Sequence, residues 1–298
     1  MEPSDEWIGR YTLVEFIGEG AHGAVWSART PPPLSRPVAV KRLHSPARAV
    51  ELERLEREAV VLAQLDHPNI LRLIDVVTDH EGVALVTELA VGGSVAERLL
   101  RGPVEPPVAV SWLLPLAEAL GSAHRRRVVH GDVKPANVLL TADDLPLLAD
   151  FGLATWLGRA AEDPELLPGA IEGTEGFVAP ELLGGVAPTV RSDVYSFGVT
   201  AYALLTGRLP ERGQPKTLLA DRAVSSALHD VVGQAMSSVP AERFPSMKTM
   251  VAALLQTPEA GTSARAERSV RYVSAAEHDM STPLPTGGRS RRVPRWNG

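Results

Sequence analysis

The chain has 298 residues, 44% of them hydrophobic, with 30 Lys and Arg against 36 Asp and Glu for a net charge of −6, and no cysteine. That length accommodates one large domain or two lobes around a sizeable core, while zero cysteines exclude disulfides, thiolate metal sites and a cysteine nucleophile. No uncharged apolar run is long enough to cross a bilayer, and the acidic start Met1-Glu2-Pro3-Ser4-Asp5-Glu6 lacks the basic flank of a signal peptide, so a cytoplasmic protein with no membrane contact is expected.

Five alternating or β-branched stretches, Tyr11–Ile17, Ala24–Ala28, Val38–Leu43, Leu71–Val77 and Val83–Glu88, read as short strands with turn signals between them. They predict an N-terminal antiparallel sheet. Between the first two lies Gly18-Glu19-Gly20-Ala21-His22-Gly23, whose glycines let backbone amides close over phosphates. A strand rather than a helix follows, which removes the dinucleotide-fold reading. His22 is expected to face solvent. One helix, Pro46–Leu65, interrupts the sheet, with Leu52, Leu55, Ala59 and Leu62 on one stripe and Glu58 at its edge. A carboxylate facing apolar surroundings needs a cation, and Lys41 on the neighbouring strand is the candidate.

After Val91-Gly92-Gly93 the pattern turns helical: Val95–Leu100, Val108–Arg125, Val190–Thr206, and weaker helices over Thr217–Ser237 and Ser246–Gln256. The fold class expected is α+β, two lobes, a small antiparallel sheet with one helix and then a larger, mainly helical lobe. Inside the second lobe, His130-Gly131-Asp132-Val133-Lys134-Pro135-Ala136-Asn137 and Asp150-Phe151-Gly152 gather two carboxylates, an amine and an amide. Phosphoryl transfer needs those groups together, to hold metal on phosphates, neutralise charge and aim a hydroxyl. From Thr257 the periodicity stops and Ser, Thr, Pro, Gly and Arg dominate. Residues 257–298 hold seven Arg against four acids, a net of +3 that leaves −9 on residues 1–256. An acidic body argues against nucleic-acid binding. The basic tail reads as flexible, with an acidic partner as the contact its charge suits.

The ordered set of glycine loop, Val38-Ala39-Val40-Lys41, Glu58, catalytic-type loop and Asp150-Phe151-Gly152 resembles the signature of the eukaryotic-like (Hanks-type) bacterial serine/threonine protein kinases. The C-lobe adds Gly173-Thr174 through Ala179-Pro180-Glu181, Arg191-Ser192-Asp193 and Glu242-Arg243-Phe244, whose arginine is expected to pair with Glu181. The resemblance implies a kinase domain over 1–256, with an N-lobe at about 11–86, a hinge at 87–91 and a C-lobe at 92–256. It implies ATP and Mg²⁺ as cofactors, with Mn²⁺ as a substitute, and proteins bearing Ser or Thr acceptors as substrates. Asp132 would orient the hydroxyl and take its proton, Lys134 would neutralise the migrating phosphoryl, and Asn137 and Asp150 would hold the metal. Lys41, positioned by Glu58, would contact the α/β-phosphates, and Thr174 would bond Asp132 and Lys134. Ile17, Gly18, Glu19, Gly20, Ala21, His22 and Gly23 would cover the nucleotide. Val25, Ala39 and Leu139 would sandwich the adenine, beside Thr87 and the backbone of Glu88 and Ala90. Asp193 reads as an anchor for the catalytic-loop backbone and His130 as a packed core residue rather than a base.

The pattern also departs from the family. Gly131 stands where regulated kinases carry an arginine that docks an activation-loop phosphate, and between Gly152 and Glu181 the only hydroxyl residues are Thr155 and Thr174. Activity independent of activation-loop phosphorylation is therefore expected, with autophosphorylation at tail hydroxyls such as Thr262, Ser263, Ser269, Ser274, Ser281 and Thr282. Ser94 and Ala136 occupy positions where kinases preferring basic substrates carry acids, and the stretch from Gly207 to Arg243 is short for the family. Two other readings are a small-molecule phosphotransferase sharing an HGDxxxxN loop, and a catalytically silent scaffold. The first lacks the Ala179-Pro180-Glu181 platform, and the second would have lost the lysine or one of the aspartates. Composition rich in Ala, Arg, Val and Pro suggests a GC-rich bacterial genome.

Overall fold

Alternating apolar positions are what a sheet with one covered face requires. In the computed structural model they build six strands: β1 (Trp7–Ile8), β2 (Tyr11–Gly20), β3 (Gly23–Arg29), β4 (Pro37–Arg42), β5 (Leu73–Asp79) and β6 (Gly82–Glu88). The structure describes residues 7–20, 23–43, 49–79, 82–156, 176–210 and 224–261. The predicted site residues Ala21, His22 and Thr174, part of the helix expected from Thr217, and the tail from Thr262 lie outside them.

The strands pair antiparallel in the order β1-β2-β3-β4-β6-β5. Register decides which side chains share a face, since directly opposed residues point the same way. Trp26 opposes Val40, and Val40 opposes Val86, on the outer face, where Ile8, Tyr11, Ala28, Val38 and Ala84 complete a small core. Val25 opposes Lys41, Ala39 opposes both Ser27 and Thr87, and Lys41 opposes Leu85 on the inner face. Helix α1 (Ala49–Leu62) covers that face through Leu52, Leu55 and Ala59 against Leu43, Leu73 and Leu85. It ends three residues before the expected Leu65, where Gln64 and Leu65 close tighter turns onto Val61 and Leu62.

The C-lobe contains α2 (Val95–Leu99), α3 (Pro106–Arg125), α4 (Pro180–Leu183), α5 (Val190–Thr206), α6 (Ser226–Ala235), α7 (Met247–Leu255) and α8 (Pro258–Gly261). α3 and α5 are buried on most sides and form the centre of the largest core, with Leu113, Leu120, Phe197, Tyr202 and Leu204 almost fully covered. Two short ladders cross the front of this lobe. β7 (Val128–Val129) pairs with β10 (Thr155–Trp156), and β8 (Val138–Leu140) pairs with β9 (Pro146–Leu148). The folded chain continues past the expected boundary at 256: α8 packs on α3, and Glu259 is buried with its carboxylate accepting from the Ser225 amide at 2.7 Å and hydroxyl at 2.8 Å. Among the described residues no helix is long and apolar enough to cross a membrane.

Among the described residues, two backbone crossings join the lobes, beside the contacts of α1 with Phe151–Leu153 and of Lys41 with Asp150. Residues 88–94 form one crossing, where Gly92 donates to Leu140 O and Leu140 donates to Gly93 O, both at 2.8 Å. The loop between α1 and β5 forms the other. Leu148 donates to Asn69 O at 2.8 Å, Leu71 donates to Leu148 O at 2.9 Å, and Asn69 Nδ2 donates to Pro146 O at 2.9 Å. Leu71 is thereby committed to β9 rather than to the N-lobe sheet, which is why β5 begins at Leu73.

Candidate active site

The cleft between the lobes has a roof made by β2, β3 and their hairpin. Gly18 opposes Val25 and Gly20 opposes Gly23, so the strands run on to Gly20, three residues beyond the expected end at Ile17. A Cβ on Gly23 would lie 2.2 Å from Arg42 O, so only glycine lets the hairpin return this close to β4. Ile17 is exposed, while Val25 and Ala39 are half-buried on the inner face of the sheet. At the rear, Thr87 is buried and its hydroxyl donates to Glu88 O at 3.1 Å. Glu88 spends its amide on Arg72 O at 3.0 Å and its carboxylate on the Arg72 amide at 2.7 Å, which fixes the crossing strand. Ala90 makes no hydrogen bond among the described residues and packs with Leu139, Leu71, Leu147 and Ala149. Of the predicted adenine-site residues, Val25 and Ala39 lie on the inner face of the N-lobe sheet, and Leu139 lies on β8, bridged to Ser94 at the lobe crossing.

Lys41 reaches across to α1. Its Nζ lies 2.8 Å from Glu58 Oε2 and 3.6 Å from Asp150 Oδ1. Burial opposes the lysine charge, but the two carboxylates outweigh it and hold the ammonium above its ordinary value. Asp150 sits in the left-handed region at φ 61, ψ 70, a conformation a non-glycine residue keeps only where its surroundings impose it. Those surroundings are Phe151, fully buried against α1 and 4.5 Å from the tilted ring of His130.

The catalytic-type loop is fixed from beneath. Asp193, buried at the start of α5, accepts from the His130 amide at 2.8 Å and the Gly131 amide at 2.9 Å. His124 Nε2 lies 2.7 Å from the same carboxylate. Burial would raise the Asp193 carboxyl, but these donors prevail and keep it below its ordinary value. His130 donates through Nε2 to Ala149 O at 3.1 Å and accepts through Nδ1 from the Asp132 amide at 3.2 Å. Both ring nitrogens are therefore spent on backbone, in keeping with a packing role. Gly131 has φ +81, and a Cβ there would stand 3.0 Å from Leu153 O.

Above this support, Asp132 is buried to 9% exposure, and its Oδ2 accepts from Lys134 Nζ at 2.6 Å and Asn137 Nδ2 at 2.9 Å. Asn137 Nδ2 also donates to Asp132 O at 2.8 Å, leaving the amide oxygen of Asn137 free of this pair. Asp132 Oδ1 takes no hydrogen bond among the described residues. Asn137 and Asp150 offer two oxygen donors, and among the described residues no group of three or more His, Cys, Asp or Glu gathers to hold a metal. That donor set suits a hard cation completing its shell with phosphate and water oxygens.

The expected Glu181 to Arg243 pair forms as a two-pronged contact, Nη1 to Oε1 and Nη2 to Oε2, each 2.7 Å. Arg243 is fully buried, with Tyr195 stacked on its guanidinium at 4.8 Å. One contributor escapes sequence reasoning: His124, next to Arg125-Arg126-Arg127, reads as part of a solvated basic run but turns inward to Asp193. Its position on the apolar side of α3 was the available signal.

The protein kinase domain family matches residues 11–264. Serine/threonine-protein kinase pkn2 of Myxococcus xanthus is 31% identical over 294 residues, covering 96% of this chain and 35% of that protein. PknD of Mycobacterium tuberculosis is 33% identical over 304 residues, covering 94% of this chain and 44% of its own length. PknK of the same species is 34% identical over 305 residues, covering 98% and 26%. The chain spans less than half the length of these relatives. With the family match running through both lobes, and the lysine, both aspartates and the asparagine facing one cleft, this chain belongs to the protein kinase domain family, among its bacterial Hanks-type serine/threonine members.

Proposed function

We propose that the chain transfers the γ-phosphate of ATP to Ser or Thr hydroxyls of proteins. The observation that carries this reading is Asp132, whose Oδ2 is held by Lys134 and Asn137 while Oδ1 meets no donor among the described residues and can take an incoming hydroxyl. A carboxylate fixed in this way orients the acceptor oxygen and takes its proton as the bond to phosphorus forms. Lys134, already beside Asp132, stands ready to meet the charge on the transferred group, and Lys41 supplies a fixed positive charge for the remaining phosphates. Asn137 and Asp150 would hold Mg²⁺, which supplies charge neutralisation on the phosphates. The roof of β2 and β3 excludes water from the adenine side of the cleft.

The two-pronged Glu181 to Arg243 contact supports a peptide platform at residues 176–181, and so a protein acceptor over a small molecule. Gly131 supports activity without activation-loop phosphate, since no arginine is present there to receive one. Tail hydroxyls beyond Gly261 are the expected autophosphorylation sites. The test is transfer of labelled γ-phosphate from Mg-ATP to the chain itself and to a generic protein acceptor, followed by phosphoamino-acid identification. Phosphoserine or phosphothreonine should appear, and Asp132→Asn should reduce it about 10²- to 10⁴-fold with ATP binding retained. Transfer to hydroxylated small molecules alone, or full activity in the Asn variant, would refute the reading.

A further inference from the structure

The C-lobe wall beside the catalytic loop carries three guanidinium groups that meet no carboxylate among the described residues. α2 packs on the turn Pro135–Asn137. Arg98, half-exposed on that helix, reaches only the Gly102 carbonyl, at 3.4 Å. Arg101 is exposed in the loop that follows. This loop docks on the end of α5: Val104 donates to Leu204 O at 2.8 Å, and Pro103 lies 3.3 Å from where a Cβ on Gly207 would be. Arg208, exposed, comes next, with its amide and carbonyl both bonded to the Thr206 hydroxyl. Leu209 then touches the start of the acceptor platform, its Cδ1 2.8 Å from the Cβ position of Gly176.

α5 links that platform to the catalytic loop, since Ser196 Oγ donates to Phe177 O at 2.8 Å and Thr200 Oγ1 to Val133 O at 3.4 Å. The segments that carry the arginines therefore flank the platform and the catalytic loop. Among the described residues none of the three forms an ion pair. Of the nearby acids, Glu97 accepts from the Ser94 amide at 3.0 Å in the cap of α2 and Glu181 is held by Arg243, while Glu105, exposed at the end of the loop, makes no side-chain cap hydrogen bond. Ser94 serves as that cap and Ala136 is exposed and uncharged, so the wall presents positive charge on a body whose net charge is −9.

We infer that Arg98, Arg101 and Arg208 select protein acceptors carrying Asp or Glu beside the acceptor hydroxyl. The inference rests on the kinase reading above and names its substrate class. Guanidinium groups match carboxylates with paired donors. Each exposed pair contributes little and is screened by salt, so selection comes from several acting together, about tenfold in kcat/KM at low ionic strength.

Three peptides test it, identical around one Ser except for Glu, Gln or Lys at the flanking positions. They are assayed with the full chain at low and high ionic strength. The Glu peptide should lead the Gln peptide by about tenfold, chiefly through KM, and the lead should shrink as salt rises. Arg101→Gln/Arg208→Gln should remove most of it, and Arg98→Glu/Arg101→Glu/Arg208→Glu should favour the Lys peptide, a gain that an unfolded variant could not show. Equal kcat/KM on the Glu and Gln peptides, or a preference that survives in the variants, overturns the inference and leaves the kinase reading standing. Transfer to none of the peptides and to no protein acceptor overturns that reading, and the inference with it.

Discussion

Two titratable residues outside the catalytic cluster are shifted chiefly by burial. Burial pushes the Glu118 carboxyl up to about 7, only partly opposed by Arg125 two turns along α3. Burial and the same Arg125 push His67 down to about 4, against a weaker pull from Asp66. The raised carboxyl means that the folded state holds the Glu118 proton more tightly than the unfolded chain does. Its contribution is intact below the ordinary carboxylate range and lost as pH rises toward 7. Depressed His67 works in the other direction: its contribution is intact above its ordinary value and lost as pH falls toward 4. Glu118→Gln should therefore stabilise the chain by about 1 kcal/mol at pH 8, a solvent-screened fraction of a buried carboxylate's cost, and leave stability at pH 4 unchanged. Denaturant titrations at the two pH values check this, and equal shifts at both would sink it.

Asp193 shows the opposite case, a buried charge that is fully answered. Two backbone amides and His124 converge on it, so the residue that shapes the catalytic loop is neither in that loop nor near it in sequence. The reading of Asp193 as an anchor came from its place in a motif; its third donor could not, because a histidine beside three arginines looks solvated. Gly131 gains a second meaning from its backbone. Its positive φ and the nearness of Leu153 O mean that any side chain there is strained, so the residue suits the turn as well as lacking the arginine.

Among the elements, the longer strands and helices were legible because their apolar periods are long and match a half-covered sheet and buried helices. The ladders β7 with β10 and β8 with β9 were not. Val128-Val129 and Val138–Leu140 are too short to show a period, and they become strands because partners distant in sequence satisfy their amides. α8 was missed for a related reason. Its four residues follow a helix stop and precede a polar tail, and they are tied down by packing on α3 and by Glu259, which accepts from Ser225 at the start of α6. A carboxylate accepting two hydrogen bonds in a buried position is costly to remove. Glu259→Ala should lower unfolding free energy by about 2 kcal/mol, whereas a tail substitution such as Arg265→Ala should leave it unchanged. Thermal and urea unfolding of the two variants measure the contrast. The catalytic cluster was the most legible part of the chain, because phosphoryl transfer fixes residue types and spacing together. The arginine wall was the least, since its three members come from one short helix and two loops.

At the scale of the whole molecule, the lobes are joined by two crossings of different character. The segment 88–94 is covalent, whereas the loop at Asn69–Leu71 is sewn to β9 by hydrogen bonds. Asn69→Ala removes the one side-chain stitch, leaving Pro146 O half-buried without its donor. A loss of about 1 kcal/mol is expected, with faster hydrogen exchange at the amides of Leu71 and Leu148 than elsewhere in the sheet. Unaltered exchange at those two amides would show that the backbone pairs alone hold the seam.

The β8–β9 hairpin belongs to both ends of this arrangement. Leu139, on one strand, bridges to Ser94 at the segment between the lobes; Leu148, on the other, grips the loop that continues directly from α1. One two-stranded hairpin therefore borders both the segment between the lobes and the loop that leads from the helix carrying Glu58, so the Lys41 to Glu58 contact and the floor of the cleft share a single backbone support.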